Sequence, residues 1–139
     1  MKIRYKKKRL NSNLFIGIAW SIFALLALSY IGDIRWIDFG YLAIAVLYIG
    51  QFIYEYRNQY LTIKNGTIWK NGIFRKKIEL EKIIWIKKFA GDYILKTDTR
   101  ELTINTDWID EKSILELNSV LEKLDLPPEK TPFANTVYN

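Results

Sequence analysis

Residues 14–31 read LFIGIAWSIFALLALSYI, eighteen positions without a charge. As a helix rising about 1.5 Å per residue, the run extends about 27 Å, close to the roughly 30 Å hydrocarbon core of a bilayer. Residues 39–54, FGYLAIAVLYIGQFIY, form a second uncharged run. It reaches bilayer length once Trp36 and Ile37 enter the interface at one end and Tyr56 at the other, with Gln51 as its strongly polar interior residue. The link from Gly32 to Asp38 is short enough to force an antiparallel hairpin. Tyr30, Trp36 and Tyr41 fall where one aromatic belt belongs, and Tyr54 and Tyr56 at the other. A helix apolar all round belongs in a membrane or a large core, and the rest of this chain is too small to wrap such a pair. A cleaved signal peptide has a shorter apolar core, so two transmembrane helices are expected. Gly17 and Ser21, four apart, either let the helices approach closely or are ordinary small residues of a span. Gln51 either bonds across the hairpin or reaches the headgroups.

Lysine and arginine set the orientation. The start, MKIRYKKKRL, holds Lys2, Arg4, Lys6, Lys7, Lys8 and Arg9, whereas the link carries only Arg35 between Asp33 and Asp38. Positive charge stays on the cytoplasmic side. The expected topology is multi-pass with both termini cytoplasmic.

Composition narrows the chemistry. The 139 residues include no Cys and no His. Disulfides, thiolate nucleophiles, Cys/His zinc sites, His-ligated haem and a Ser-His-Asp triad are therefore excluded. Neither the serines at 12, 21, 29, 113 and 119 nor the scattered glycines fall in a nucleophile elbow, a P-loop or a dinucleotide fingerprint. The expectation is a non-enzymatic protein with no catalytic residues, no cofactor and no metal ion. Asp92, Asp98, Glu101 and Asp107 lack the spacing of a calcium loop; solvated turns account for them.

Beyond Tyr56 the apolar period drops to about two. Strands are expected at Tyr60–Lys64, Thr67–Lys70, Ile73–Leu80, Lys82–Phe89, Tyr93–Thr97 and Glu101–Asn105. Asn65-Gly66 and Asn71-Gly72 are hairpin signals, and turns fall at Ala90-Gly91-Asp92 and Asp98-Thr99-Arg100. Ile114, Leu117, Leu121 and Leu124 then make one face of a helix that Asp107 or Asp110 caps and Pro127-Pro128 stops. The last residues read as a polar tail whose large apolar groups are Phe133 and Tyr138.

Several segments carry a resemblance: Tyr60-Leu61-Thr62-Ile63, the turn Asn65-Gly66, the basic stretch Trp69 to Lys77, and Ile78-Glu79-Leu80-Glu81-Lys82-Ile83. Together, just after two spans, they resemble bacterial membrane proteins with a pleckstrin-homology-like (PH-like) domain, of a short two-span type. The likeness covers roughly residues 57–125. It implies a place in a bacterial inner membrane, a partial barrel, an antiparallel meander closed by a C-terminal amphipathic helix, and a binding or scaffolding role. The usual barrel has seven strands against the six counted here, which leaves an edge to be covered or paired, a neighbouring subunit being one source.

The expected architecture is a membrane α-helical hairpin plus a small mainly-β PH-like domain. It divides into a basic cytoplasmic arm (1–12), the hairpin (13–56), the β domain (57–126) and a tail (127–139). Most of the +6 net charge belongs to the arm, because residues 57–126 hold 13 Lys/Arg against 11 Asp/Glu. The arm lies beside the anionic leaflet, where it fixes topology and meets lipid. A nearly balanced domain argues against nucleic acid. Arg75, Lys76, Lys77, Lys87 and Lys88 are the candidate patch for a lipid or a partner, on strands expected side by side; solvation and edge protection by lysine are the competing account. Trp69, Trp85 and Trp108 are assigned to the core or the membrane rim. The expected role is an accessory or scaffold subunit of a larger membrane assembly, bound to another membrane protein or to its own copies. The alternative is a cytoplasmic-face binder of anionic lipid headgroups.

Overall fold

A computed structural model describes residues 1–30 and 35–134. Gly32, Asp33 and Ile34 of the expected link and Tyr138 of the tail lie outside the described residues. The chain forms two compact units. One is Lys7–Arg57; the other joins Met1–Lys6 to the chain from Asn58 onward.

The helical unit consists of α1 (Lys7–Tyr30) and α2 (Trp36–Asn58), both long and apolar enough to cross a membrane. Helix α1 starts well before the apolar run, so Lys7, Lys8 and Arg9 belong to its first turn; lysine and arginine are good helix formers. At the start of α2 the backbone N–H of Arg35 donates to Asp38 Oδ2 at 2.8 Å, one arm of a capping box. The helices pack antiparallel. A Cβ built on Gly17 would lie 2.8 Å from Ile49 Cγ1, so glycine is what permits the approach there. Ser21 Oγ donates back to Gly17 O within its own helix at 2.8 Å. Trp20 stacks on Tyr41 at 6.0 Å between ring centroids, which takes Tyr41 from the expected belt into the helix contact. This unit buries Gly17, Ala24 and Ala45 together with Asp38 and Glu55, while Phe15, Ile22, Leu25, Leu26, Val46 and Leu47 face outward.

The β unit has the opposite polarity. Strands β1 (Lys2–Ile3), β2 (Leu61–Lys64), β3 (Thr67–Lys70) and β4 (Lys76–Glu79) form one antiparallel sheet in that order. Strands β5 (Trp85–Phe89), β6 (Asp92–Lys96) and β7 (Glu101–Asn105) form a second. Ile3, Leu61, Ile68, Leu95, Leu102, Ile104, Leu117 and Leu121 are fully buried between them and helix α3 (Glu111–Leu121).

Two expectations change. Among the described residues the count is seven strands, and the additional one comes from the same chain: the N-terminal arm is β1 at its start, not a free basic tail. Tyr60 N–H donates to Ile3 O at 3.0 Å and Ile63 N–H to Met1 O at 2.8 Å. On the other side of the same segment, Asp110 N–H donates to Arg4 O at 3.0 Å and Lys6 N–H to Trp108 O at 2.8 Å. Ile3 and Tyr5 point inward while Lys2, Arg4 and Lys6 point out, the two-residue alternation of a strand. The hairpin is thus threaded between the first and second strands of one β unit.

The long strand expected at Ile73–Leu80 is the second change. Asn65 and Gly66 (φ 51° and 68°), and Ala90 and Gly91 (φ 49° and 84°), make the left-handed pairs that tight hairpins need. Asn71-Gly72 does not. There the chain leaves the sheet for residues 71–75 and returns as β4. A 3₁₀ turn at Leu80–Lys82 then carries it to the other sheet, so β4 and β5 are not neighbours.

Helix α3 buries Leu117 and Leu121 as its period requires. Asp110 occupies the N-cap position, but its side chain makes no capping bond, and neither aspartate fills the expected role. Ser113 Oγ instead accepts the N–H of Arg4 at 3.1 Å, tying α3 to the N-terminal strand. The helix ends at Leu121, before the prolines, and Pro128–Lys130 form a 3₁₀ turn. Phe133 packs edge-on against Tyr93 at 5.6 Å, so this part of the tail joins the domain.

Candidate functional site

The basic residues of the β unit fall into two groups. Trp69 and Lys77 are register partners on β3 and β4, which puts both side chains on one face. Lys77 Nζ lies 5.0 Å and Arg75 Cζ 5.3 Å from the centre of the Trp69 ring, within cation–π range. These residues, with Lys76, Arg100 and Leu102, line an open hollow of about 440 Å³. Glu101 also borders it, but its carboxylate is held by Lys96 Nζ at 2.9 Å. Four cations therefore face a hollow whose one acid is already paired, an arrangement that attracts anions.

Lys87 and Lys88 stand elsewhere. They lie on β5, an edge of the second sheet, whereas the strand of that sheet next to β4 is β7. The strand adjacency expected for a single patch is absent, because β4 and β5 belong to different sheets. Lys87 Nζ sits 4.1 Å over the Trp85 ring, with the exposed Phe89 at the end of the same strand. Arg100, from the turn before β7, takes the place expected for Lys87 and Lys88. No signal in its local sequence marks it, because the β4–β7 approach is purely tertiary.

Two flanking groups titrate away from their ordinary values. Burial pushes the Lys70 ammonium below the usual lysine range and Lys76 adds repulsion; its Nζ donates to Thr103 O at 2.6 Å. The hydrogen bond and charge of Lys82 hold the Glu79 carboxyl below the usual carboxylate range, at 2.8 Å from Lys82 Nζ. Among the described residues, no group of three or more acidic side chains is placed to hold a metal ion.

A second polar cluster lies inside the hairpin. Glu55 of α2 is buried and accepts three bonds: from Arg9 Nη2 at 3.1 Å, Asn13 Nδ2 at 3.2 Å and Gln51 Nε2 at 3.1 Å. Gln51 thus bonds along its own helix, and Glu55 is the residue that crosses to α1. Arg9, expected on the membrane-surface arm, is committed to this clasp. Lys7 and Lys8 are exposed on the first turn of α1, and Lys2, Arg4 and Lys6 are exposed along the N-terminal strand segment. Compared with protein-family models, with curated proteins and with solved structures, the chain matches none of them.

Proposed function

We propose that this protein is a non-enzymatic, membrane-anchored interaction module: an accessory or scaffold subunit of a bacterial inner-membrane assembly, displaying a PH-like domain in the cytoplasm. The observation that carries the reading is the inverted polarity of the helical unit. It turns large apolar side chains outward and keeps glycine, alanine and hydrogen-bonded acids inside, the distribution suited to a lipid solvent. The seven-strand count and the C-terminal helix support the PH-like reading. Orientation gains support beyond the positive charges. Residues on both flanks of the hairpin build one β unit, so two spans leave both flanks on one side.

The test is extraction of the tagged full-length protein in a mild detergent, followed by sizing and mass spectrometry. A foreign membrane protein recovered in stoichiometric amount is the expected result; a bare monomer contradicts the subunit reading. One observation favours the second reading, a binder of anionic headgroups: the cations around Trp69. Charge reversal at Arg75, Lys76 and Lys77 abolishes binding of anionic headgroups in that case and leaves partner capture intact in the first.

A further inference from the structure

Residues 72–75, between β3 and β4, carry the two most exposed large apolar side chains among the described residues of the β unit: Ile73 at 93% and Phe74 at 85%. Adjacent apolar tips in water mark a contact surface. The base of this loop is fixed. Asn71 is buried, and its Nδ2 donates to Asn58 O at 2.7 Å and to Thr62 Oγ1 at 3.0 Å. Its backbone N–H donates to Tyr60 O at 3.0 Å. Asn58 is the last residue of α2. It lies two residues past Tyr56 in the chain, about 3 Å along a helix axis, at the end where Tyr54 and Tyr56 mark an interfacial belt. The base of the loop is therefore tied to Asn58, the residue at which the chain leaves α2. Lys70, Arg75, Lys76 and Lys77 flank Ile73 and Phe74 in the chain. An apolar tip followed at once by Arg75, Lys76 and Lys77 complements an anionic leaflet, with the tip at the acyl boundary and the charges at the phosphates.

We infer that Ile73 and Phe74 insert into the leaflet from which α2 emerges, and that Arg75, Lys76 and Lys77 meet its anionic headgroups. The β unit is then moored at two places, by the hairpin and by this loop. The inference rests on the reading that α1 and α2 span the membrane.

The chain has no cysteine, so single cysteines can be introduced into the full-length protein one at a time. Phe74→Cys, Lys64→Cys and Leu25→Cys are each labelled with an environment-sensitive fluorophore and reconstituted into phosphatidylglycerol-containing vesicles. Lipids with a quencher on the acyl chain are then added. Lys64, on β2, is the control because it pairs with Thr67, at the end of β3 away from Asn71 and about 13 Å from it at 3.3 Å per residue; Leu25 reports the span. The expected result is strong quenching at 25, quenching at 74 several-fold above that at 64, and a fall at 74 when Arg75, Lys76 and Lys77 are reversed to glutamate. Quenching at 25 with equal, weak quenching at 74 and 64 overturns the loop insertion and leaves the span reading standing. Absence of quenching at 25 overturns both.

Discussion

The hairpin and the β unit apply one packing principle with opposite polarity. In the β unit the fully buried positions are Ile, Leu and Tyr, and lysines and arginines stand outside. In the hairpin the buried positions among the described residues are Gly17, Ala24, Ala45, Asp38 and Glu55, while Ile22, Leu25, Leu26, Val46 and Leu47 stand outside. Each unit turns toward its surroundings the side chains those surroundings solvate. Water drives apolar groups inward. Lipid gives no such drive, so helices meet through small residues and hydrogen bonds. On the proposed membrane reading, the two halves of this chain report two solvents.

The contrast breaks most visibly at the segment that joins the units. Ile3 has no exposed surface and sits between β2 and residues 108–110. Ile3→Ala should destabilise the β unit by about 2–5 kcal/mol, the range for a buried large-to-small change. Urea titration of its protease resistance measures this, and the hairpin should remain inserted. Equal resistance in the variant would show that residues 58–134 fold without the N-terminal strand.

A matched pair of leucines sharpens the comparison. Leu47 on α2 and Leu115 on α3 are 71% and 68% exposed. Leu47→Glu should impair insertion, by about 2.5–3.5 kcal/mol on the scale for an acidic side chain at the centre of a span. Leu115→Glu should alter stability by no more than about 0.5 kcal/mol. Membrane fractionation reads the first and thermal melting the second. Equal, small effects would remove the two-solvent account.

Smaller effects follow within each unit. Glu55→Ala leaves Arg9, Asn13 and Gln51 without their shared acceptor and should cost about 3 kcal/mol, the low end for a broken buried pair because Arg9 is 28% exposed. Thermal stability in detergent measures it, with Glu55→Gln, which keeps an acceptor, recovering part of the loss. Asn71→Ala removes the base of the loop and should cost about 1–3 kcal/mol, read by urea titration. The smallest effect belongs to Glu79. Lys82 holds its carboxyl below the ordinary range, so its contribution is present above the unfolded value and is lost as pH falls through the lowered one. Glu79→Gln should remove only that slight acid-side slope, measurable as melting temperature against pH.

The hairpin was legible because a charge-free run of bilayer length has few alternatives. The strand β1 was not. Ile3 and Tyr5 alternate with Lys2, Arg4 and Lys6, but five residues are too short a pattern to stand against six cations that already explain topology. The partner strand also begins 58 residues later, at Leu61. The turns at Asn65-Gly66 and Ala90-Gly91 were read from local chemistry, since positive φ at consecutive positions is a local demand. Asn71-Gly72 offered the same dipeptide and meant something else: Asn71 is used for its side-chain amide, which only the fold supplies with acceptors. The basic patch failed for a related reason. Lys87 and Lys88 follow Arg75 to Lys77 closely in sequence, but the turn at Leu80–Lys82 sends them to another sheet, and Arg100 arrives in their place. Glu55 lay just past the uncharged run 39–54, and its burial depends on Arg9 and Asn13 of the other helix.

The central claim is that one β unit is assembled from both flanks of a membrane-spanning hairpin. Single cysteines at Lys2, Arg35 and Lys64, probed in sealed vesicles of known orientation with a membrane-impermeant maleimide, test it directly. The account predicts that positions 2 and 64 react from the same face and position 35 only from the opposite one. Reaction of 2 and 64 from opposite faces, or of all three from one face, would contradict it.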